Sequence, residues 1–282
     1  MAPPAGLIEL REVGKSYRRG RSARTVVENC SFTAEADRFT VMIGPSGAGK
    51  STLARLIAGF DRPDRGEILV GGRPVTGPGR DRLVVFQESA LFPWMNTEEN
   101  VAYGPKANGD WTERAKALSQ HMLEKVGLAA FRRRYPRELS GGMQRRAELA
   151  RALVNNPEIM ILDEPFRGLD AMTRRLMLEY YARLSEQAPR TNLFITTDID
   201  EAIFLADRLL VMTHLPTQVR AVIEVDLPRP RNLAALILDD RANAIKMRAL
   251  SLLHEEALKA FAGGSEAAAD FVDAFRQRLG AS

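Results

Sequence analysis

Residues 44–52 read GPSGAGKST and fit the pattern G-x-x-x-x-G-K-[ST]. That spacing suits the grip of a polyphosphate. Gly44, Gly47 and Gly49 let the backbone turn tightly, so that the N–H groups of the loop, whose other members include Pro45, Ser46, Ala48 and Thr52, face an anion. Lys50 adds positive charge at the β- and γ-phosphates, and Ser51 offers a hydroxyl to Mg²⁺. The alternative is a glycine-rich turn that binds nothing. At average residue usage a chance match in a chain this long arises on the order of one percent of the time, so a nucleotide is the expected ligand.

Two further stretches carry chemistry. IMILDE, residues 159–164, is a buried-type strand ending in two carboxylates. At such an end Asp163 can hold a hydrated Mg²⁺ and Glu164 can polarise an attacking water; acids at strand ends are also commonly just solvated. LSGGMQRR, residues 139–146, sets Ser140, Gly141 and Gly142 where a helix begins. Free N–H groups and the positive end of the helix dipole could meet a second phosphate there. A plain serine-capped helix is the other reading.

Elements must hold these residues in place. LIELREV alternates like a strand, and RFTVMIG runs into the first glycine turn, after which KSTLARLIAGF continues at helical spacing. GEILVGG, RLVVFQ, EIMILDE, NLFITT and RLLVM suggest more strands with helices between several of them. Such alternation predicts a parallel sheet covered on its faces. Between Glu98 and Asn155 helical periodicity takes over, which reads as a helical insertion. After Val225, DLPRPR interrupts the chain. Two helical stretches follow, the first with Ile245, Ala249, Leu252 and Leu253 on one face. Gly263 and Gly264 break them apart, and Phe271, Phe275 and Leu279 line the second. This tail is expected to pack on its own domain or on a second, partner domain, identical or different.

Composition narrows the setting. The chain is 282 residues long, 45% hydrophobic and 27% charged, with a net charge of +4. Its basic residues are scattered, which reads as a solvated, mildly basic surface rather than a nucleic-acid site. No run approaches the roughly 20 apolar residues that cross a bilayer, and the start lacks the pattern of a secretory signal. The lone Cys30 fits a reducing compartment.

With these motifs in this order over roughly residues 7–225, the chain resembles the nucleotide-binding subunits of ABC transporters. LFPWMNTEENVAYG and EVDLPRPR are similar to the nitrate, sulfonate and taurine importer branch. The resemblance implies an α/β fold of the P-loop NTPase class: a RecA-like parallel sheet with an antiparallel β edge, a helical signature subdomain and a C-terminal helical extension. The expected domains are 1–95 with 156–226, then 96–155, then 227–282. By resemblance Tyr17 stacks on adenine, and Gln87 links Mg²⁺ and water to the membrane partner, joining Ser51 and Asp163 as metal contacts. Ser140, Gly141, Gly142 and Gln144 grip the γ-phosphate of ATP held by the opposite subunit, and Asp170 lies at the dimer seam. Tyr17 could also be a plain strand-flanking aromatic. Implied partners are permease subunits, a second cassette and, indirectly, a periplasmic or extracellular solute-binding protein, with the chain peripheral on the cytoplasmic face of the inner membrane.

Several residues depart from that pattern. Thr197 stands where the family usually has a histidine that reaches the γ-phosphate, and its hydroxyl offers one hydrogen bond and no positive charge. Arg167 occupies a position where the branch usually has glycine. Glu148 falls one turn beyond Gln144, where a small residue is usual. Asn96, Thr97 and Glu98 are more polar than the customary segment, which bears on permease contact. A weakened site on this chain's own phosphate loop beside an intact signature is expected of an asymmetric pair. A regulatory cassette with little turnover and a non-transport ABC ATPase are the rival functions.

Overall fold

The computed structural model describes residues 3–20 and 22–262. In chain order the strands are β1 (Ile8–Arg19), β2 (Ser22–Ala34), β3 (Phe39–Ile43), β4 (Arg65–Val70), β5 (Arg73–Pro74), β6 (Arg82–Val85), β7 (Ile159–Asp163), β8 (Thr191–Thr196), β9 (Arg208–Met212) and β10 (Val219–Glu224). The helices are α1 (Lys50–Ala58), α2 (Thr97–Ala107), α3 (Glu113–Lys125), α4 (Gly141–Leu153), α5 (Ala171–Gln187), α6 (Ile199–Leu205), α7 (Leu233–Leu236) and α8 (Asp240–Ala262). By contacts the chain forms two units, Met1–Gly77 with Ile195–Ser282, and Pro78–Phe194.

In the first unit β1 pairs antiparallel with both β2 and β4, and β5 closes a four-stranded sheet in the order β2-β1-β4-β5. Beside it β3 runs parallel to β9, with Ile43 opposite Val211, and β10 adds an antiparallel edge to β9. All five residues of β3 are buried, as its mostly apolar run, broken only by Thr40, requires of a strand covered on both faces. The second unit pairs β6 parallel to β7, with Val85 opposite Leu162. Leu91, Val101, Leu123, Val126, Leu128, Ala147, Ala150 and Val154 form the core among its helices. The parallel pairs, the antiparallel edge and the run of helices α2–α4 agree with the sequence reading. No helix among the described residues is long and apolar enough to cross a membrane.

Two expectations change. Arg229 and Arg231 are not a solvated surface. Arg231, whose side chain is 2% exposed, donates to the carbonyls of Ile203, Phe204 and Ala206 and so serves the C-terminus of α6. Arg229 donates to Leu205 O and to the Asp207 carboxylate. Asn96 is spent on local structure: it caps α2 in a box with Glu99, while Thr97 is 1% exposed and donates to Arg134 O. Glu148 is buried, as described below.

The tail packs on its own chain, with α8 against α6, β9 and β10. Ala249 is fully buried and Ile245, Leu252 and Leu253 partly so, the face read from the sequence. The proposed second stretch, with Phe271, Phe275 and Leu279, lies outside the described residues. The same face also buries Glu256, whose carboxylate accepts from His214 N and Lys259 Nζ, with His214 Nδ1 at 2.8 Å. Burial opposes its charge, but Lys259 and His214 outweigh burial and hold its pKa down to about 2, from an ordinary 4.5. A depressed carboxylate contributes stability above its unfolded pKa and loses it as pH falls toward the folded one. Glu256→Gln is therefore expected to lower stability to urea by about 1.5–3 kcal/mol at neutral pH. The gap to the wild type should close between pH 4.5 and about 2. A gap that persists unchanged below that window would contradict this account.

Candidate nucleotide site

The end of β3 delivers the chain into the glycine loop, and α1 follows at Lys50. Gly49 adopts φ +90, and a Cβ there would sit 2.4 Å from Thr217 Oγ1 and 2.9 Å from Val26 Cγ1. Only glycine satisfies both the left-handed backbone and that close approach. Thr217 is itself fixed, its N–H donating to Val26 O at 2.7 Å.

The N-cap of α1 is this glycine, with no side-chain hydrogen bond to the first turn. By contrast Asn96, Thr112, Ser140, Asp170, Asp198 and Asn232 cap α2 to α7 with their side chains. The first amides of α1 are thus left for an anion, together with the positive end of its dipole. Lys50 is 5% exposed and its Nζ donates to Gly44 O and Pro45 O, both at 2.8 Å, so the ammonium is held against the loop. Ser46 and Ser51 are exposed, while Ala48 is buried beneath the turn. These features fit a triphosphate.

Tyr17 flanks the same helix. Its hydroxyl donates to Asp61 Oδ2 at 2.7 Å, and Lys15 Nζ lies 3.0 Å from Asp61 Oδ1 and 5.3 Å from the ring centroid. Burial and the Asp61 carboxylate raise the phenol's pKa, while Thr52 in the first turn of α1 acts the other way. Tyr17 as a residue is 39% exposed, which is compatible with stacking on its ring.

Thr197 follows β8 and is exposed. Its neighbours hold the turn: Thr196 Oγ1 donates to Glu201 Oε2 at 2.6 Å and accepts from Asp198 N, and Asp198 caps α6.

In the second unit the parallel register brings Gln87, Asp163 and Glu164 to the same end of β6 and β7, the end of an α/β sheet where ligands bind. Asp163 is 8% exposed and Gln87 is exposed. Glu164 adopts φ +45, a left-handed conformation unusual for a non-glycine residue and one that clusters at functional sites. Its Oε2 accepts from Arg167 Nη1 at 2.9 Å. Arg167 therefore grips the candidate base of its own chain.

At the signature, Ser140 caps α4 by accepting from Met143 N, and Gln144 donates to Pro136 O and Leu139 O. A Cβ on Gly142 would meet Thr173 Cγ2 at 2.7 Å, whereas one on Gly141 finds only Leu169 at 3.6 Å. Gly142 thus has a packing reason of its own. Asp170 caps α5 by accepting from Met172 N and Thr173 N, and Thr173 holds its carboxyl below the usual range. The signature and Asp170 therefore stand together. Sequence reasoning missed Asp61, Asn100 and Arg145; only the i,i+3 spacing of Arg145 and Glu148 could have signalled a pair.

The model of the ABC transporter family matches residues 27–167. The chain is 39% identical over 252 residues to the nitrate import ATP-binding protein of Synechococcus elongatus, covering 88% of this chain and 92% of that one. The chain belongs to the ABC transporter family. To the aliphatic sulfonates import ATP-binding protein of Bacillus cereus this ABC cassette is 40% identical over 225 residues, 80% of its length and 88% of the relative's. Its fold matches an ATP-binding cassette solved as a dimer after hydrolysis with ADP and phosphate, at a TM-score of 0.69 and 28% identity, over 78% of this chain and all of that one. It is a P-loop NTPase fold and an ABC-type ATPase. Lys50→Ala is expected to weaken Mg-ATP binding at least about tenfold, or ~1.4 kcal/mol; unchanged affinity in a titration of the folded variant would exclude the assignment.

Proposed function

We propose that this cassette is the ATP-hydrolysing subunit of an importer for a small anionic solute, of the nitrate, sulfonate or taurine kind. The observation that carries the reading is one chain holding both an uncapped phosphate-loop helix and a signature helix, in a sequence about 40% identical to two import cassettes. Residues 1–95 with 156–226 bind ATP, 96–155 carry the signature, and 227–282 are accessory. The cassette works on the cytoplasmic face of the inner membrane, bound to permease subunits and paired with a second cassette. A solute-binding protein reaches it only through the permease. Exposed Phe86 and Tyr103, which line a groove of about 580 Å³, and exposed Trp94, stacked on Phe92 of its wall, support a docking face for the permease.

Within the site, Tyr17 orients the base, and Lys50 with the loop amides from Gly44 to Thr52 neutralises phosphate charge. Ser51, Asp163 and Gln87 are the residues that would hold Mg²⁺, which would supply further positive charge to the bound phosphates. Glu164 takes the proton of the attacking water once Arg167 lets go of its carboxylate. Ser140, Gly141 and Gly142, with Gln144 bracing the turn before them, serve the nucleotide of the opposite cassette across the seam at Asp170.

Thr197 replaces a cation with a short hydroxyl, and the loss of one preorganised donor costs about 10²–10³ in rate. ATP affinity rests on other groups, so the own site binds but turns over slowly. If the complex holds two different cassettes, Glu164→Gln is expected to reduce its overall ATPase only slightly. Thr197→His is expected to raise turnover at this site with ATP affinity little changed. A complex of identical cassettes in which Glu164→Gln eliminates activity would defeat the asymmetry.

A further inference from the structure

Two full charges are buried behind Gln87, and the mechanism above does not use them. Arg145 and Glu148 are 6% and 4% exposed, one turn apart on α4, and they form an ion pair. Arg145 Nη1 also donates to Phe86 O at 2.8 Å, and Nη2 to Gln87 O at 2.6 Å. Glu148 Oε1 accepts from Ala90 N. Residues 86–90 belong to no helix or strand, so two side chains of one helical turn satisfy three of this segment's backbone groups. Beyond it, Asn100 of α2 accepts from Phe92 N and donates to the carbonyls of Phe92, Met95 and Asn96.

We infer that the Arg145–Glu148 pair is a positioning device, which locks the backbone under Gln87 to the helix that begins with the signature. The Gln87 side chain is exposed, so its place is set through its backbone. Residues 140–142 lie one to two turns before the pair on the same rigid rod. A shift of the helix start, as when the signature meets the other cassette's nucleotide, moves Gln87 with it. The pair thereby couples the two nucleotide contacts made by one cassette. A buried ion pair is weak evidence for stability and better suited to fixing one arrangement, and the planar fork of arginine is what allows two carbonyls and a carboxylate to be held at once. Charge burial alone does not assign this role; the three backbone contacts do.

The inference rests on the reading of Gln87 as the residue between Mg²⁺ and water, and the test separates the two. ATP turnover is measured on the full-length chain in its transporter complex, with the other cassette, if it is a different chain, disabled at its own phosphate loop so that the kcat read is that of this chain's own site. The variants are Gln87→Ala, the neutral double variant Arg145→Gln/Glu148→Gln, and all three changes together. The double variant leaves no unpaired buried charge; Arg145→Lys, which keeps the ion pair but cannot span both carbonyls, takes its place if the double variant does not fold. The double variant is expected to lower kcat about tenfold, within the range of groups sharing one network, with KM for ATP changed less than about twofold. Arg145→Lys should lower kcat by a smaller factor in the same direction. On the Gln87→Ala background neither should lower kcat further. Multiplying effects, an unchanged kcat, or a loss carried by KM would overturn the inference while leaving the role of Gln87 intact. A Gln87→Ala variant with wild-type kcat would overturn that role, and the inference with it.

Discussion

The site depends on one constraint: the first turn of α1 must begin without a side chain to satisfy it. Glycine at the N-cap leaves the amides available, and its lack of a Cβ lets the chain pass Thr217 and Val26 at distances no other residue tolerates. The rest of the first unit serves that turn. Buried β3 and its parallel neighbour β9 fix where the loop starts, with Gly44 packed against Met212. The bridge between Val27 and Thr217 closes it from behind. Thermodynamically, amides left unmatched in the free protein are a cost that an anion recovers on binding.

A second theme is the use of buried charge to organise irregular backbone. Arg145 and Glu148 hold the segment after β6; Arg231 and Arg229 hold the end of α6; Glu256 anchors α8. Each holds groups that no helix or sheet ladder satisfies, and each would leave an unpaired charge or carbonyl if truncated. The Arg167–Glu164 contact differs because it involves the candidate base, in a strained backbone conformation.

Much of this was legible in the sequence. The glycine loop, the strand ending in Asp163 and Glu164, and the helices between Glu98 and Asn155 follow from spacing and apolar runs, which report burial directly. β2 escaped because its burial is confined to one face: Val27, Cys30, Phe32 and Ala34 are buried among exposed neighbours. The same burial pushes the Cys30 thiol up to about 12, which makes it an inert core residue. Exposed β10 escaped for a similar reason. The charged clamps were invisible because a sequence shows the type of a charged residue and not its depth, and Arg145, Arg231 and Glu256 read like solvated side chains. Asn96 and Thr97 looked like altered contact residues because a helix cap and a surface share the same chemistry.

The central claim is that the phosphates, not the base, are what this fold is built to hold. Calorimetric titration of the full-length chain with ATP, ADP, AMP and adenosine, each with Mg²⁺, tests it most directly. Affinity should fall as phosphates are removed, with adenosine the weakest by well over about tenfold, or 1.4 kcal/mol. Adenosine binding as tightly as ATP would contradict the account.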